Sequence, residues 1–123
     1  MSERFLRNEL YFGEEKTNKL KEIKVCVVGL GGVGAYAVEA LARLGVENFV
    51  VIDKDVVDIT NLNRQIIALE STIGREKSEV IKERILDINP NAKVKTYSMF
   101  YKNKCRHSKM PALIFCQLST INC

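Results

Sequence analysis

The chain has 123 residues, of which 46% are hydrophobic and 28% charged, a composition typical of one small folded domain and not of a disordered segment. Up to residue 101 it carries 15 basic and 15 acidic side chains, so the whole net charge of +4 comes from the last 22 residues. A neutral body of this kind argues against strong binding of nucleic acid by charge alone. The N-terminus shows no secretory signal and no apolar stretch is long enough to cross a bilayer, which predicts a cytoplasmic protein.

The first predicted elements are two short helices followed by a strand. The helices cover residues 4–12 and 14–21 on either side of Gly13, so residues 1–22 are predicted to form an N-terminal helical segment. Residues 24–28 form a compact apolar run that ends at a glycine. Such a run is typical of a strand that is buried on both faces of a parallel sheet.

A helix, a second strand, a long loop, a second helix and a third strand follow. The apolar face of the first of these helices is predicted to consist of Val33, Ala37, Ala40, Leu41 and Leu44. The strands are predicted at 49–52 and 94–99, the loop at 55–70 and the second helix at 77–87. The order β-α-β-α-β indicates an α/β protein, in which residues 23–101 form the N-terminal half of a Rossmann-like, doubly wound parallel sheet.

Residues 102–123 do not continue this pattern. They contain no helix of useful length and only one apolar cluster, so we expect an atypical, irregular tail. Three strands without the rest of the sheet leave an edge uncovered, which indicates a truncated or frame-shifted product. Three of the four cysteines lie in this tail, and their spacing is not that of a zinc site, so we predict no metal there.

A glycine-rich turn, Gly29-Leu-Gly-Gly-Val-Gly34, joins the first strand to the first long helix. Gly29 permits the tight turn, Gly31 lets backbone amides approach a phosphate, and Gly34 allows close packing of helix and strand. Gly32 is included among the predicted nucleotide-binding positions of the turn. With a strand before it and a helix after it, the turn predicts a bound nucleotide, which at this point is either NAD or ATP.

The segment after the second strand distinguishes a triphosphate from a dinucleotide. Asp53 ends that strand, 24 positions after the first glycine of the turn, and can accept hydrogen bonds from ribose hydroxyls. A triphosphate needs further cations beyond the sheet edge, and Arg64 offers a planar fork that binds phosphate oxygens bidentately. Lys77, at the start of the next helix, can bring a second charge, so the segment favours ATP. Asn61 and Gln65 flank Arg64 on the same polar loop.

Five motifs together resemble the ThiF/MoeB/HesA family of ubiquitin-activating-like enzymes. They agree with the family in order and spacing, and they read Arg4-Phe-Leu-Arg7, GLGGVG at 29–34, DxD at 53–55, NLNRQ at 61–65 and Gly74-Arg-Glu-Lys77. The resemblance covers about four-fifths of the chain, from Arg4 to residue 100. It implies an enzyme that uses ATP and Mg²⁺ to adenylate a carboxylate.

The resemblance also implies roles for individual residues. Arg64 and Lys77 are expected to hold the phosphates and to act in catalysis, and Asp53 to hold the ribose. The resemblance implies further nucleotide contacts in the same pocket, at Asp55, Asn61 and Gln65. Arg7 matches the family arginine that reaches phosphate from a neighbouring subunit, which implies a homodimer. The family places an aspartate linked to magnesium after its fourth strand, and this chain has no counterpart because no acidic residue follows Asp87.

Within the family the sequence is most similar to the tRNA threonylcarbamoyladenosine dehydratases, in its first motif, in NLNRQ and in residues 83–90. This similarity implies cyclisation of the threonylcarbamoyl side chain on tRNA. An alternative is an adenylyltransferase for a ubiquitin-like sulfur-carrier protein, with sulfur-transfer partner proteins, although such enzymes usually read NLQRQ or NLHRQ. The sequence also fits a fragment of an NAD-dependent oxidoreductase or a catalytically inactive fragment.

Overall fold

The computed structural model describes residues 3–99 and, beyond them, the backbone of residues 113–117. A 3-10 helix at Glu3–Phe5 leads into α1 (Leu6–Phe12) and α2 (Glu14–Glu22). The sheet and its connections consist of β1 (Lys24–Val28), α3 (Gly34–Leu44), β2 (Asn48–Ile52), a 3-10 helix (Ile59–Asn61), α4 (Lys77–Ile88), β3 (Lys93–Tyr97) and β4 (Leu113–Gln117). In this described part, no helix is long and apolar enough to span a membrane.

The four strands lie side by side in the order β3-β2-β1-β4. The first three are parallel, with Val25 of β1 opposite Phe49 of β2, and Phe49 opposite Val94 of β3. β4 runs antiparallel to β1 on its other side, where Leu113 lies opposite Val28. The predicted half of a doubly wound sheet is therefore confirmed. The order of elements was enough to predict it, because parallel strands that are joined by helices can adopt few other topologies.

β4 corrects the expectation that the whole of residues 102–123 is irregular. It pairs along the full length of β1 and gives the outer backbone groups of β1 hydrogen-bond partners. The apolar cluster of the tail is too short for a stable helix, but five residues are enough for a strand beside an open sheet edge. The rest of the tail, and the irregular structure predicted for it, lie outside the described residues.

One hydrophobic core joins α3 and α4 to the sheet. Val25 and Val27 of β1 are buried in it together with Phe49 and Val51 of β2, because alternate residues of a strand point to the same face. Cys26, on the opposite face of β1, is only half-buried, although this burial raises the pKa of its thiol. The prediction that β1 is buried on both faces is therefore wrong, since the two crossover helices of the described part pack on one face.

The buried stripe of α3 differs from the predicted one. Its buried residues are Gly34, Ala35, Val38, Glu39 and Ala42. On the predicted face, Val33 and Ala40 are exposed, whereas Ala37, Leu41 and Leu44 are half-buried. Small and apolar residues occur on nearly every side of this helix, so their spacing fits more than one stripe.

Glu39 is the charged residue within that stripe, and it ties α3 to α4. Its Oε1 accepts hydrogen bonds from Arg84 Nε at 3.0 Å and from Arg43 Nη2 at 3.1 Å. The Glu39 side chain is 10% exposed, whereas those of Arg43 and Arg84 are 62% and 34% exposed. The shielded carboxylate is therefore satisfied by two guanidinium groups. The bond from Arg84 of α4 holds the two helices side by side, whereas Arg43 lies on α3 itself.

The N-terminal segment is fastened to the C-terminal ends of α3 and α4. Asn8 Nδ2 donates to the carbonyl oxygens of Arg43 and Leu44 at 3.0 and 3.3 Å. Arg4 Nη1 donates to the carbonyl oxygen of Ile88 at 2.8 Å. Carbonyls in the last turn of a helix have no partner within it, so α1 and the residues before it cap both helices. This capping places α1 at the edge of the sheet where the parallel strands begin.

Candidate nucleotide-binding site

The glycine turn lies at the opposite end of the parallel strands, between the end of β1 and the start of α3. The Gly29 amide donates to the Ile52 carbonyl at 2.8 Å, which holds the turn against the end of β2. Gly29 has a φ of 89°, a conformation that other residues rarely adopt, so glycine is needed here. The N-cap residue of α3 is Val33, and its apolar side chain makes no capping hydrogen bond. The amides of its first turn are therefore available to an anion.

Asp53 fastens this turn to the end of β2. Its Oδ2 accepts a hydrogen bond from the Leu30 amide at 2.7 Å, and its Oδ1 accepts one from the Asp55 amide at 2.7 Å. A carboxylate has further lone pairs, so ribose hydroxyls can still bind as predicted. The bond to Leu30 is a second role that sequence reasoning missed. The turn formed by Asp53 and Asp55 is a recognisable local pattern, but no signal connects residues 23 positions apart.

The loop between β2 and α4 is shaped by a capping box around its 3-10 helix. The Asp58 amide donates to Asn61 Oδ1 at 2.8 Å, and the Asp58 carboxylate accepts from the amide and the hydroxyl of Thr60 at 2.8 and 2.6 Å. The bonds from Thr60 hold the pKa of the Asp58 carboxyl below its ordinary value, and the charge of Lys77 lowers it further. Asn61, predicted as a nucleotide contact, is buried and serves first to fold the loop.

Arg64 lies beside the glycine turn. A Cβ atom placed on Gly32 would stand 3.9 Å from the Arg64 carbonyl oxygen, so the loop and the turn are neighbours. The Arg64 side chain is exposed, and its Nη1 donates to the Thr60 carbonyl at 3.1 Å and to Asn63 Oδ1 at 2.8 Å. The tertiary fold thus brings the predicted phosphate-binding arginine next to the predicted phosphate-binding turn.

Lys77 is the buried cation of this region. It is 6% exposed, and its backbone amide donates to the Asp55 carbonyl at 3.1 Å. Its ammonium group forms no ion pair or hydrogen bond with any described residue. The Asp58 carboxylate feels its charge but lies beyond ion-pair distance. Because the side chain is mostly buried and its charge has no anion beside it in the described residues, this position is suited to an anionic ligand.

Two buried polar atoms next to these cations have no hydrogen-bond partner in the part of the chain that the structure describes. They are Gln65 Oε1 and the hydroxyl oxygen of Ser78. Gln65 directly follows Arg64, and Ser78, which the sequence analysis did not single out, directly follows Lys77. Buried polar atoms are rarely left unpaired, so these two are exceptions to the satisfied hydrogen bonding of the described core.

Arg7 is far from the glycine turn of its own chain. Its neighbour Asn8 bonds the C-terminal end of α3, whereas the turn joins the N-terminal end. With 11 residues at about 1.5 Å each, α3 separates the two ends by roughly 16 Å. The exposed side chain of Arg7 cannot cross that distance, so the structure does not bring it into the site of the same chain.

The acidic residues of the described part do not form a metal cage. No group of three or more His, Cys, Asp or Glu side chains among them is placed to hold a metal ion. Asp55, a predicted nucleotide contact, is exposed, and its Oδ1 lies 3.9 Å from Lys54 Nζ. Any divalent ion at this site therefore needs ligands from the nucleotide or from other parts of a protein.

The sequence matches the profile of the ThiF family over residues 5–117. The chain belongs to the ThiF family. The tRNA threonylcarbamoyladenosine dehydratase of Bacillus subtilis is 52% identical over 101 residues, which are 82% of this chain and 40% of that protein. The Escherichia coli dehydratase TcdA, solved in complex with ATP, superposes with a TM-score of 0.77 at 44% identity, over 79% of this chain and 40% of that one. UBA4 of Lodderomyces elongisporus, an adenylyltransferase and sulfurtransferase, is 44% identical over 79 residues, which are 64% of this chain and 17% of that protein.

This ThiF-family chain thus spans about 40% of the length of these two dehydratases. The family resemblance and the Rossmann-like α/β fold are confirmed. The glycine turn, the end of β2, the crossover loop and the start of α4 form one connected region, which contains Asp53, Asp55, Asn61, Arg64, Gln65 and Lys77. Only Arg7, among the predicted site residues, lies elsewhere.

Proposed function

We propose that this chain carries the ATP-binding half of an enzyme that adenylates a carboxylate, and that the enzyme is a tRNA threonylcarbamoyladenosine dehydratase. The ammonium of Lys77, a residue that is only 6% exposed, has no anion beside it among the described residues, and this observation carries the proposal. A glycine turn alone serves the diphosphate of a dinucleotide, whereas Lys77 and Arg64 add the two cations that suit a triphosphate. Similarity to the Bacillus subtilis and Escherichia coli dehydratases supports the choice of substrate.

The proposed reaction has two steps. First, a carboxylate oxygen of the threonylcarbamoyl group attacks the α-phosphorus of ATP, the bond from that phosphorus to the bridging oxygen breaks, and pyrophosphate leaves. Second, a nucleophile within the substrate loses its proton and attacks the acyl carbon, AMP leaves and a ring closes. A free carboxylate is a poor electrophile, and adenylation supplies the leaving group. Arg64 and Lys77 stabilise the charge that develops on the phosphates, which is their catalytic role.

The nucleotide takes the place between the glycine turn and the crossover loop. Backbone amides of the turn bind its phosphates, at Gly31, Gly32 and Gly34. The amide of Gly29 is already bonded to the Ile52 carbonyl, so Gly29 shapes the turn. Asp53 accepts from the ribose hydroxyls, and Gln65 lies on the loop beside Arg64. Asp55 and Asn61 lie in the same pocket. Mg²⁺ enters with the triphosphate, because it keeps several waters and needs only one or two protein carboxylates.

The position of Arg7 supports a homodimer as the active form. From the far edge of the sheet this side chain cannot reach the site of its own chain, so a role in nucleotide binding requires a second copy. Mixed dimers test this directly. Arg7→Ala and Lys77→Met should each bind ATP poorly alone, and a mixture should regain binding, because the Arg7→Ala copy keeps its own Lys77 and receives Arg7 from the second copy. A mixture as deficient as its parents would reject this arrangement.

An adenylyltransferase for a ubiquitin-like sulfur-carrier protein is the second candidate, because the chain is also similar to UBA4. Such an enzyme adenylates the C-terminal carboxylate of a small protein and works with sulfur-transfer partners. The net charge of residues 1–101 is zero and favours neither tRNA nor protein as the acceptor. Both candidates use ATP, and both fit a cytoplasmic protein. The acceptor therefore distinguishes them.

Exchange of labelled pyrophosphate into ATP tests the function and the acceptor together. The full chain is supplied with Mg²⁺ and either tRNA that carries threonylcarbamoyladenosine or a ubiquitin-like sulfur carrier. We expect exchange with the tRNA, its loss in Lys77→Met and its persistence in Lys16→Met. Lys16 is a matched control because it is exposed on α2 and forms no ion pair with a described residue.

Calorimetry with ATP and with NADH separates the remaining outcomes. A chain that binds no ATP at millimolar concentration contradicts the proposal. Exchange with the sulfur carrier alone selects the second candidate, and tight binding of NADH that survives Arg64→Ala selects an oxidoreductase. Binding of ATP without exchange would show that this chain holds the nucleotide and does not complete the chemistry.

A further inference from the structure

We propose that Asn63 is a positioning residue for Arg64. Asn63 Oδ1 accepts a hydrogen bond from Arg64 Nη1 at 2.8 Å. The same nitrogen donates to the Thr60 carbonyl at 3.1 Å, so both of its hydrogens are used. Nε and Nη2 of Arg64 form no hydrogen bond with the described residues. One corner of the guanidinium is thus anchored, and the Nε–Nη2 edge is left free for bidentate binding of a phosphate.

Both anchors are neutral oxygens, and this matters for an arginine that must bind an anion. A neutral acceptor orients the guanidinium group, whereas a carboxylate would form an ion pair that competes with the ligand. The nearby Asp58 carboxylate is instead occupied by the amide and the hydroxyl of Thr60. Thr60 therefore links the capping box to the anchor, because its amide bonds Asp58 and its carbonyl bonds Arg64. The loop presents Arg64 partly ordered, which lowers the entropic cost of fixing it on a ligand.

The inference rests on the proposed function, since an oriented Arg64 matters only if it contacts the phosphates. Asn63→Ala is expected to weaken ATP binding by about 2- to 10-fold, because one solvent-exposed hydrogen bond that orients Arg64 is lost. Adenosine has no phosphates, so its binding should not change. Asn63→Leu keeps the size of the side chain without the acceptor and should behave like Asn63→Ala. Asn63→Gln keeps an amide oxygen and should restore part of the affinity.

Titration calorimetry of the full chain with ATP and with adenosine tests these expectations. The variants are Asn63→Ala, Arg64→Ala and their combination, and we expect Asn63→Ala to cause no further loss of ATP affinity once Arg64 is absent. Asn91→Ala is the matched control, because Asn91 is exposed in the turn between α4 and β3, at the other edge of the sheet. Thermal unfolding of each variant checks that it is folded.

Several outcomes would overturn the inference. Unchanged ATP affinity in Asn63→Ala and Asn63→Leu would do so, as would an equal loss of affinity for ATP and adenosine. A loss that persists without Arg64 would show that Asn63 acts by another route. A wild-type chain that binds no ATP overturns the proposed function as well, whereas wild-type binding with unaffected Asn63 variants overturns this inference alone.

Discussion

The Leu30 amide donates a 2.7 Å hydrogen bond to Asp53 Oδ2, and this bond joins the glycine turn to the end of β2. The other oxygen of the same carboxylate accepts the Asp55 amide. One buried side chain therefore holds the turn and the start of the crossover loop in a defined relation to each other. Arg64 lies on that loop and Lys77 on the helix after it, so the geometry of the whole site depends on Asp53.

Asp53→Asn is expected to loosen the turn. An asparagine supplies one acceptor and one donor, and its donor would face a backbone N–H, so a buried hydrogen bond is lost. We expect the free energy of unfolding in urea to fall by about 1–3 kcal/mol, and ATP affinity to fall with it. Asp87→Asn, on an exposed side chain of α4, should change stability by less than about 0.5 kcal/mol. Weakened ATP binding at full stability would mean that Asp53 contacts only the ribose.

Lys77→Met is expected to change stability and ligand binding in opposite directions. Methionine has a similar length and removes the buried charge, so the free energy of unfolding should rise by about 0.5–2 kcal/mol. ATP affinity should fall by about 10-fold or more, because a charge-assisted contact to phosphate is lost. Urea unfolding without nucleotide and calorimetry with ATP measure the two effects, with Lys16→Met as the control. A loss of stability would instead indicate that the role of Lys77 is structural.

Glu39→Ala is expected to weaken the contact between α3 and α4 and so to lower stability. The substitution removes the acceptor shared by Arg43 and Arg84, and we expect a loss of about 1–3 kcal/mol in the free energy of unfolding. The control is Glu15→Ala, which breaks an exposed pair with Lys19 and should cost less than about 1 kcal/mol. ATP affinity measured well below the melting temperature should stay unchanged, and a marked decrease would contradict a purely structural role.

Acid is expected to weaken the crossover loop through Asp58. Hydrogen bonds from Thr60 hold the pKa of this carboxyl below its ordinary value of 3.8. Its contribution to stability is therefore complete above that value and is lost as the pH falls through the lower pKa of the folded state. Urea unfolding from neutral pH down to about pH 2 should show a smaller acid-induced loss in Asp58→Ala than in the wild type. Identical profiles would contradict this expectation.

Glu83 provides an independent check on that pH dependence. Its hydrogen bond with Arg75 lowers the pKa of its carboxyl from 4.5, so its contribution is lost in the same acidic range. Glu83→Gln should therefore also reduce the loss of stability that acid causes. The effects of Glu83→Gln and Asp58→Ala on this loss should add, because the two carboxylates share no hydrogen-bond partner.

The elements were accessible to sequence reasoning because each depends on local chemistry. The apolar run of β1, the glycine turn and the stop at Gly45, which has a φ of 116°, are all properties of neighbouring residues. Two wrong predictions, the buried stripe of α3 and the fully irregular tail, also share a cause, because both depend on tertiary contacts. The buried stripe of α3 depends on which side meets the sheet, and β4 forms because a distant segment finds the open edge of β1.

By itself, the sequence predicted the order of the helices and of the three parallel strands, the glycine turn and the two cations near it. Periodicity, glycine positions and residue type are enough for these because they act over a few residues. Only the tertiary structure decided that Asp53 fastens the turn through Leu30, that Lys77 is buried without an anion in the described residues, and that Arg7 lies at the far edge. These relations join segments that are far apart in the chain, and packing alone brings them together.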